Sequence, residues 1–172
     1  MVTTPLCEML ISAGAIRFGE FTLASGKTST VYIDIKKAIT DPGILKAIAS
    51  EVLVRIGDFD AVAGVAVGGV PLAVAVSLAA NKPYVIIRKE QKSHGIAHLI
   101  IGEVSAKRVL LVEDVTTSGG SAVFGIEQLR VAGAFVQDVV SVVDRDEGAE
   151  QTLSQLGVSL TPLVRMHDLM SK

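Results

Sequence analysis

Over the first third of the chain, short apolar runs alternate with polar breaks. Residues 5–13 read as a short opening helix, and Phe21-Thr-Leu23 and Val31-Tyr-Ile-Asp-Ile35 as two strand-like runs. The polar stretch Ser25-Gly-Lys-Thr-Ser-Thr30 joins those runs, as in a hairpin flap. Asp41-Pro42 then supplies an N-cap and a proline at the first helical position. Ile44, Ile48, Val52 and Ile56 recur every four residues on one helix face, which Gly57 ends. Beyond this point the polar alternation fades. Residues 61–67, 84–87, 109–112 and 136–143 are Val- and Ile-rich runs, the pattern of strands buried on both faces of a parallel sheet. Helical stretches at 71–80, 121–132 and 148–156 separate several of them.

Strands alternating with helices predict an α/β fold: a mainly parallel central sheet flanked by helices, preceded by a small hood or flap. Residues 1–40 form the hood and 41–172 the core of a single domain, since no linker, low-complexity tract or repeat divides the chain. Ligands of such sheets bind beyond the carboxyl ends of the strands, so the loops there are the place to look for chemistry.

Composition narrows the field. The chain has 172 residues, enough for one core that buries roughly 70% of the unfolded surface. A hydrophobic share of 49% with 20% charged residues excludes disorder. The mean hydropathy of +0.51 raises a membrane span as an alternative, and residues 61–80 are uncharged over spanning length. Gly68-Gly69 breaks that stretch and Pro71 sits where a helix would begin, so it reads as strand, loop and helix, not as a membrane span. A single cysteine, Cys7, and an N-terminus without a signal-peptide pattern place the chain in the cytoplasm. The net charge of −2 gives no positive field for nucleic acid.

Two common phosphate motifs fail. The run from Gly19 to Gly26-Lys27-Thr28 has the wrong spacing for a P-loop, and Gly64, Gly68 and Gly69 do not form GxGxxG. The sequence Val109-Leu-Leu-Val-Glu113-Asp114-Val115-Thr116-Thr117-Ser118-Gly119-Gly120-Ser121 is stronger. It carries a buried strand to two acids at an exposed strand end, then a hydroxyl- and glycine-rich turn that opens a helix. Backbone N–H groups and hydroxyls at a helix N-terminus suit a phosphate, and carboxylates accept from sugar hydroxyls, so a ribose 5-phosphate matches both halves. The plainer reading is a capped turn beside a solvated strand end. Arg88, Lys89, Lys92 and His94 form a basic cluster in an otherwise mildly acidic chain, either a solvated loop or a cover for an anion. His98 and His167 have no partner pattern and read as ordinary surface or core histidines.

The segment 109–121 resembles the PRPP-binding motif of the type I phosphoribosyltransferases. Three further segments resemble the orotate phosphoribosyltransferases of that family: Phe21-Thr-Leu-Ala-Ser-Gly26 with Tyr32-Ile-Asp34, the loop from Arg88 to Gly95, and Val143-Asp-Arg145. The resemblance implies transfer of the phosphoribosyl group of PRPP to orotate, with Mg²⁺ carried mainly by PRPP and water. It implies that Glu113 and Asp114 hold the ribose, that Thr117, Ser118, Gly119, Gly120 and Ser121 hold the 5-phosphate, and that Val115 and Thr116 between them also belong to the PRPP-binding set. Arg88, Lys89, Lys92 and His94 become a lid over the pyrophosphate, shared across a homodimer, with Lys92, His94 and Asp114 in the catalytic set. Ser25, Gly26, Thr117 and Arg145 meet orotate. A salt bridge from Arg145 to Asp144 or Asp146 is the competing reading.

The chain departs from the family pattern at Ala24 and Gly68, where a lysine is common, and Lys27, Lys36 or Lys37 are the cations placed to compensate. At this length there is no room for a fused decarboxylase barrel of about 250 residues, so the next step of pyrimidine synthesis is expected from another chain. Two other readings share parts of the pattern: a purine or uracil phosphoribosyltransferase, and a PRPP-sensing regulator without catalysis.

Overall fold

The computed structural model describes residues 4–22, 26, 28–89 and 99–170. Helix α1 (Pro5–Ser12) starts at Thr4, whose hydroxyl accepts from the Cys7 N–H at 3.3 Å, with Pro5 at the first helical position. Strands β1 (Ile16–Thr22) and β2 (Thr28–Ile33) pair antiparallel, with an irregularity between Phe18 and Phe21. The hairpin is therefore real, but β1 begins five residues before the expected run. The second strand also stops short of Ile35. Asp34 instead accepts from the Lys37 N–H at 3.2 Å and caps a four-residue helix, α2 (Ile35–Ala38). Asp41 does the same for α3 (Pro42–Arg55), accepting from Gly43 and Ile44 at 2.8 and 3.0 Å. Ile44, Ile48 and Val52 are buried as their spacing predicts, while Ile56 is already extended, so α3 ends before Gly57.

The remaining elements are β3 (Ala61–Val65), α4 (Gly69–Ala80), β4 (Tyr84–Ile87), β5 (Ile100–Ile101), β6 (Val109–Thr116), α5 (Gly120–Val131), β7 (Asp138–Asp144), α6 (Ala149–Ser154), β8 (Ser159–Arg165) and α7 (Met166–Met170). They build a six-stranded sheet in the order β5-β4-β3-β6-β7-β8, parallel except for β5. The chain runs outward from β3 to β4 and then returns to the other side of β3 as β6. That reversal is the topological switch point, where a crevice opens beyond the strand ends.

Alternate residues of each strand face opposite layers. Val62, Leu110 and Val112 join a core with Leu6, Leu10, Ile16, Ile48, Leu72 and Val76, which ties the hood to α3 and α4. Ala63, Val65, Val109 and Leu111 face the other way, onto Ile126 and Leu129 of α5 and Leu153 of α6. The uncharged stretch 61–80 is strand plus helix, and among the described residues no helix is long and apolar enough to cross a membrane. Strands β5 and β8 and helix α7 are additions that the apolar pattern did not predict.

Candidate active site

Strand β6 does not end at Val112. It continues through Glu113 and Asp114 to Thr116, so the two acids are not at an exposed end: they are 3% and 7% exposed. The pairing of β6 with β7, Glu113 opposite Ser141 and Thr116 opposite Asp144, carries the strand past its charges. Because neighbours on a strand point to opposite faces, the two carboxyls enter different layers. Asp114 faces Gly68 and α2, and its Oδ2 lies 2.6 Å from Lys36 Nζ. Gly68 closes the other side: a Cβ there would stand 2.4 Å from Asp114 Oδ2, so this loop can carry no side chain without moving the acid.

Glu113 accepts a hydrogen bond from the side chain of Ser121 in the first turn of α5, and its Oε1 is buried with no hydrogen-bond partner. Burial, and then the negative charge of Asp114, push the Glu113 carboxyl up to about 7 from 4.5, against the opposing pull of Ser121, Lys89 and Lys36. The hydrogen bond to Asp114 raises Lys36 above the usual lysine range, with the charges of Asp114, Asp34 and Glu113 adding to it against partial desolvation.

The turn after β6 opens α5. Gly119 takes φ +88° at its N-cap and lies against Ala149 of α6, a left-handed backbone that glycine adopts without strain. Thr117, Ser118 and Gly120 are exposed, and Ser121 is half-buried, around the free N–H groups of a 12-residue helix. Val115 and Thr116 are strand residues, not part of this turn. The Thr116 hydroxyl donates to Asp144 Oδ1 at 2.7 Å, with Ser141 Oγ 3.1 Å away.

Arg145 follows β7, its N–H held by the Thr116 carbonyl at 2.9 Å, and its Nε lies 2.9 Å from Glu147 Oε1. The expected competitors, Asp144 and Asp146, belong instead to Arg165, whose Nη1 lies 3.8, 3.6 and 2.9 Å from Asp144, Asp146 and Glu150. His167 is a surface histidine, as its sequence reading has it, and its Nδ1 is 2.9 Å from Asp146 Oδ2. These contacts hold the β7–α6 loop from β8, an arrangement invisible without knowing that β8 lies beside β7. Arg88 and Lys89 leave the carboxyl end of β4, next to β3, so the start of the basic cluster is at the same end of the sheet as the acids. Gly26 is exposed beside β2 at φ +79°. Ser25, Lys92 and His94, together with Ala24, Lys27 and His98, lie outside the described residues.

The fold thus brings a buried acid pair at the switch point of a parallel sheet next to an anion-receptive helix start. Residues 36–155 match the family described as phosphoribosyl transferase domain. The chain is 77% identical over 171 residues to the orotate phosphoribosyltransferase of Methanospirillum hungatei, covering 99% of both chains. Orotate phosphoribosyltransferase from Aeropyrum pernix superposes with a TM-score of 0.85 at 34% identity, covering 96% of each chain. UMP synthase of Leishmania donovani superposes with a TM-score of 0.82 at 37% identity over 96% of this chain, which spans only 36% of that longer one. The chain belongs to the orotate phosphoribosyltransferase family, and it is accordingly a pentosyltransferase.

Among the described residues no three His, Cys, Asp or Glu side chains converge as a metal cage.

Proposed function

We propose that this chain transfers the 5-phosphoribosyl group of PRPP to orotate, giving orotidine 5′-monophosphate and pyrophosphate for pyrimidine synthesis. The observation that carries the assignment of roles is the buried, unpartnered Glu113 Oε1 beside Asp114, one turn from the start of α5. A buried acceptor without a donor is unfavourable in the free protein, and a ribose hydroxyl supplies that donor. Glu113 and Asp114 take the ribose hydroxyls, while the N–H groups and hydroxyls from Thr117 to Ser121 take the 5-phosphate. Arg145 exchanges its Glu147 contact for the carboxylate of orotate, which a guanidinium grips through paired charge-assisted bonds. Ser25, Gly26 and Thr117 complete the base site.

In the reaction the bond from the anomeric carbon to pyrophosphate breaks, and its electron pair leaves with the pyrophosphate. The ring nitrogen of orotate, having released its proton, attacks the opposite face of the sugar. The protein holds the reactants in line and offsets charge, with no covalent enzyme intermediate. Arg88, Lys89, Lys92 and His94 neutralise the departing pyrophosphate as a lid, donated in part by a second copy in a homodimer. When carried in with PRPP and water, Mg²⁺ would supply further positive charge for the diphosphate. The buried, unpaired Cys7 suits work in the cytoplasm.

The test is a spectrophotometric assay with PRPP, Mg²⁺ and either orotate, uracil or a purine base. Consumption of orotate, with weakened use of PRPP in Asp114→Asn at wild-type folding, is expected. Preference for another base, or PRPP binding without turnover, would overturn the reading in favour of a different base specificity or of a PRPP sensor.

A further inference from the structure

The contact between Lys36 and Asp114 has no place in the roles above. Lys36 comes from α2, a helix of four residues set by the Asp34 cap, and it reaches an acid on β6, a different layer of the molecule. The two ends of the contact differ in environment: the Lys36 side chain is 64% exposed, and that of Asp114 only 11%. The cation is therefore largely in solvent and the anion nearly buried. On its other side Asp114 meets Gly68, which offers backbone and no charge. Without Lys36, the Asp114 carboxylate would face, uncompensated on this side of the sheet, an incoming substrate that is itself a polyanion, and like charges at such range oppose binding.

We infer that Lys36 is a positioning residue of the ribose site, its ammonium fixing the Asp114 carboxylate and compensating its charge so that PRPP can enter. The inference rests on the reading that Glu113 and Asp114 receive the ribose. When the hydroxyls of PRPP take over Asp114, the displaced ammonium remains beside it, among the phosphate oxygens of the substrate. Gly68 has no room for a side chain without moving Asp114, and Lys36 supplies a cation to that acid from the hood.

The experiment compares Lys36→Met, Lys36→Gln, Lys36→Arg, Asp114→Asn and the double variant Lys36→Met/Asp114→Asn in steady-state kinetics with Mg²⁺, alongside thermal unfolding. Both neutral variants should raise the KM for PRPP about 10- to 100-fold, the range for losing a hydrogen bond between charged groups. The KM for orotate should stay within about twofold, and Lys36→Arg should recover most of the loss. In the Asp114→Asn background the effect of Lys36→Met should shrink, because its partner is gone.

The pH profile gives an independent reading. Glu113 is faced by Asp114 on β6, Ser121 on α5, Lys89 after β4 and Lys36 on α2, and of these Lys36 is one of the groups that lower its pKa. Its removal should therefore move the acidic limb of kcat/KM for PRPP to higher pH. An unchanged KM for PRPP in Lys36→Met beside a large effect of Asp114→Asn would overturn the inference alone. Equal effects of Lys36→Met with and without Asp114, or a fall in melting temperature with kinetics intact, would do the same. An unchanged KM for PRPP in Asp114→Asn would remove the ribose assignment itself, and the inference with it.

Discussion

Replacing Glu113 with glutamine should stabilise the free protein at alkaline pH while weakening its use of PRPP. The carboxyl titrates near 7 in the fold against 4.5 ordinarily, so the folded state keeps a proton that the unfolded chain releases. Protonated Glu113 is thus the form the fold favours, and that contribution is fully present below pH 4.5. It is lost as pH rises from 4.5 through about 7, above which the folded protein holds an ionised group in a desolvated place. At about 1.4 kcal/mol per pH unit, that gap corresponds to about 3 kcal/mol. Glutamine keeps the shape and the acceptor for Ser121 but never ionises. In urea unfolding at pH 8 the variant should therefore be more stable by about 3 kcal/mol, and near pH 4 the two proteins should coincide. For a chain of this size that difference equals a rise in Tm of roughly 6–12 °C at pH 8. The same titration should appear in function as a fall of kcat/KM for PRPP below about pH 7, since sugar hydroxyls bond best to the ionised acid. Equal stability of wild type and Glu113→Gln at pH 8 would refute the account, because it would mean the buried carboxylate carries no desolvation penalty.

Arg145→Ala should depress kcat/KM for orotate by roughly 1.5–3 kcal/mol while leaving PRPP binding without base unchanged, and equal weakening of both ligands in isothermal titration would make it a structural residue. Gly68→Ala, whose Cβ would stand 2.4 Å from Asp114 Oδ2, should raise the KM for PRPP and cost about 1–3 kcal/mol of stability in urea unfolding. Thr116→Val removes the donor to buried Asp144 and should lower stability by about 1–3 kcal/mol in the same measurement. Lys92→Ala should lower kcat by about 10²–10³ more than it changes KM, because charge on the pyrophosphate grows toward the transition state. If the lid crosses between subunits, mixing Lys92→Ala with an inactive Asp114 variant should restore activity through hybrid dimers, and no recovery after proven exchange would mean that each site is built from one chain.

The parallel sheet was legible because β3, β6 and β7 are fully or nearly buried, and burial on both faces leaves an unbroken Val- and Ile-rich run; β4, buried only at Val85 and Ile87, keeps the same composition. The same logic misplaced the end of β6. Charge ordinarily marks a strand's exit into water, and nothing local to Glu113 and Asp114 shows that Ser121 and Lys36 meet them inside. β8 escaped notice because it carries Thr161, Pro162 and Arg165 among its apolar residues, and β5 because two residues make no pattern. The residue types of the site could be read along one segment, since acids and anion-binding turn are contiguous from Glu113 to Ser121. The Lys36 contact and the Arg165 cluster around Asp144, Asp146 and Glu150 bridge separate elements, and only the folded chain brings them together.

The two margins of the sheet also bear on how this protein behaves at high concentration. A margin strand offers unpaired N–H and C=O groups to any neighbouring chain, and a long flat one templates aggregation. Here β5 is only two residues long and runs against the direction of its neighbour, which leaves little backbone to copy. At the opposite margin β8 carries Pro162 within its pairing with β7, a position with no N–H to give. The strands β3, β6 and β7, richest in buried valine and isoleucine, are thus kept interior to the sheet, and its margins are a two-residue strand and a strand interrupted by a proline. Lengthening β5 or replacing Pro162 with valine would extend a sticky margin without touching the crevice where the acids lie.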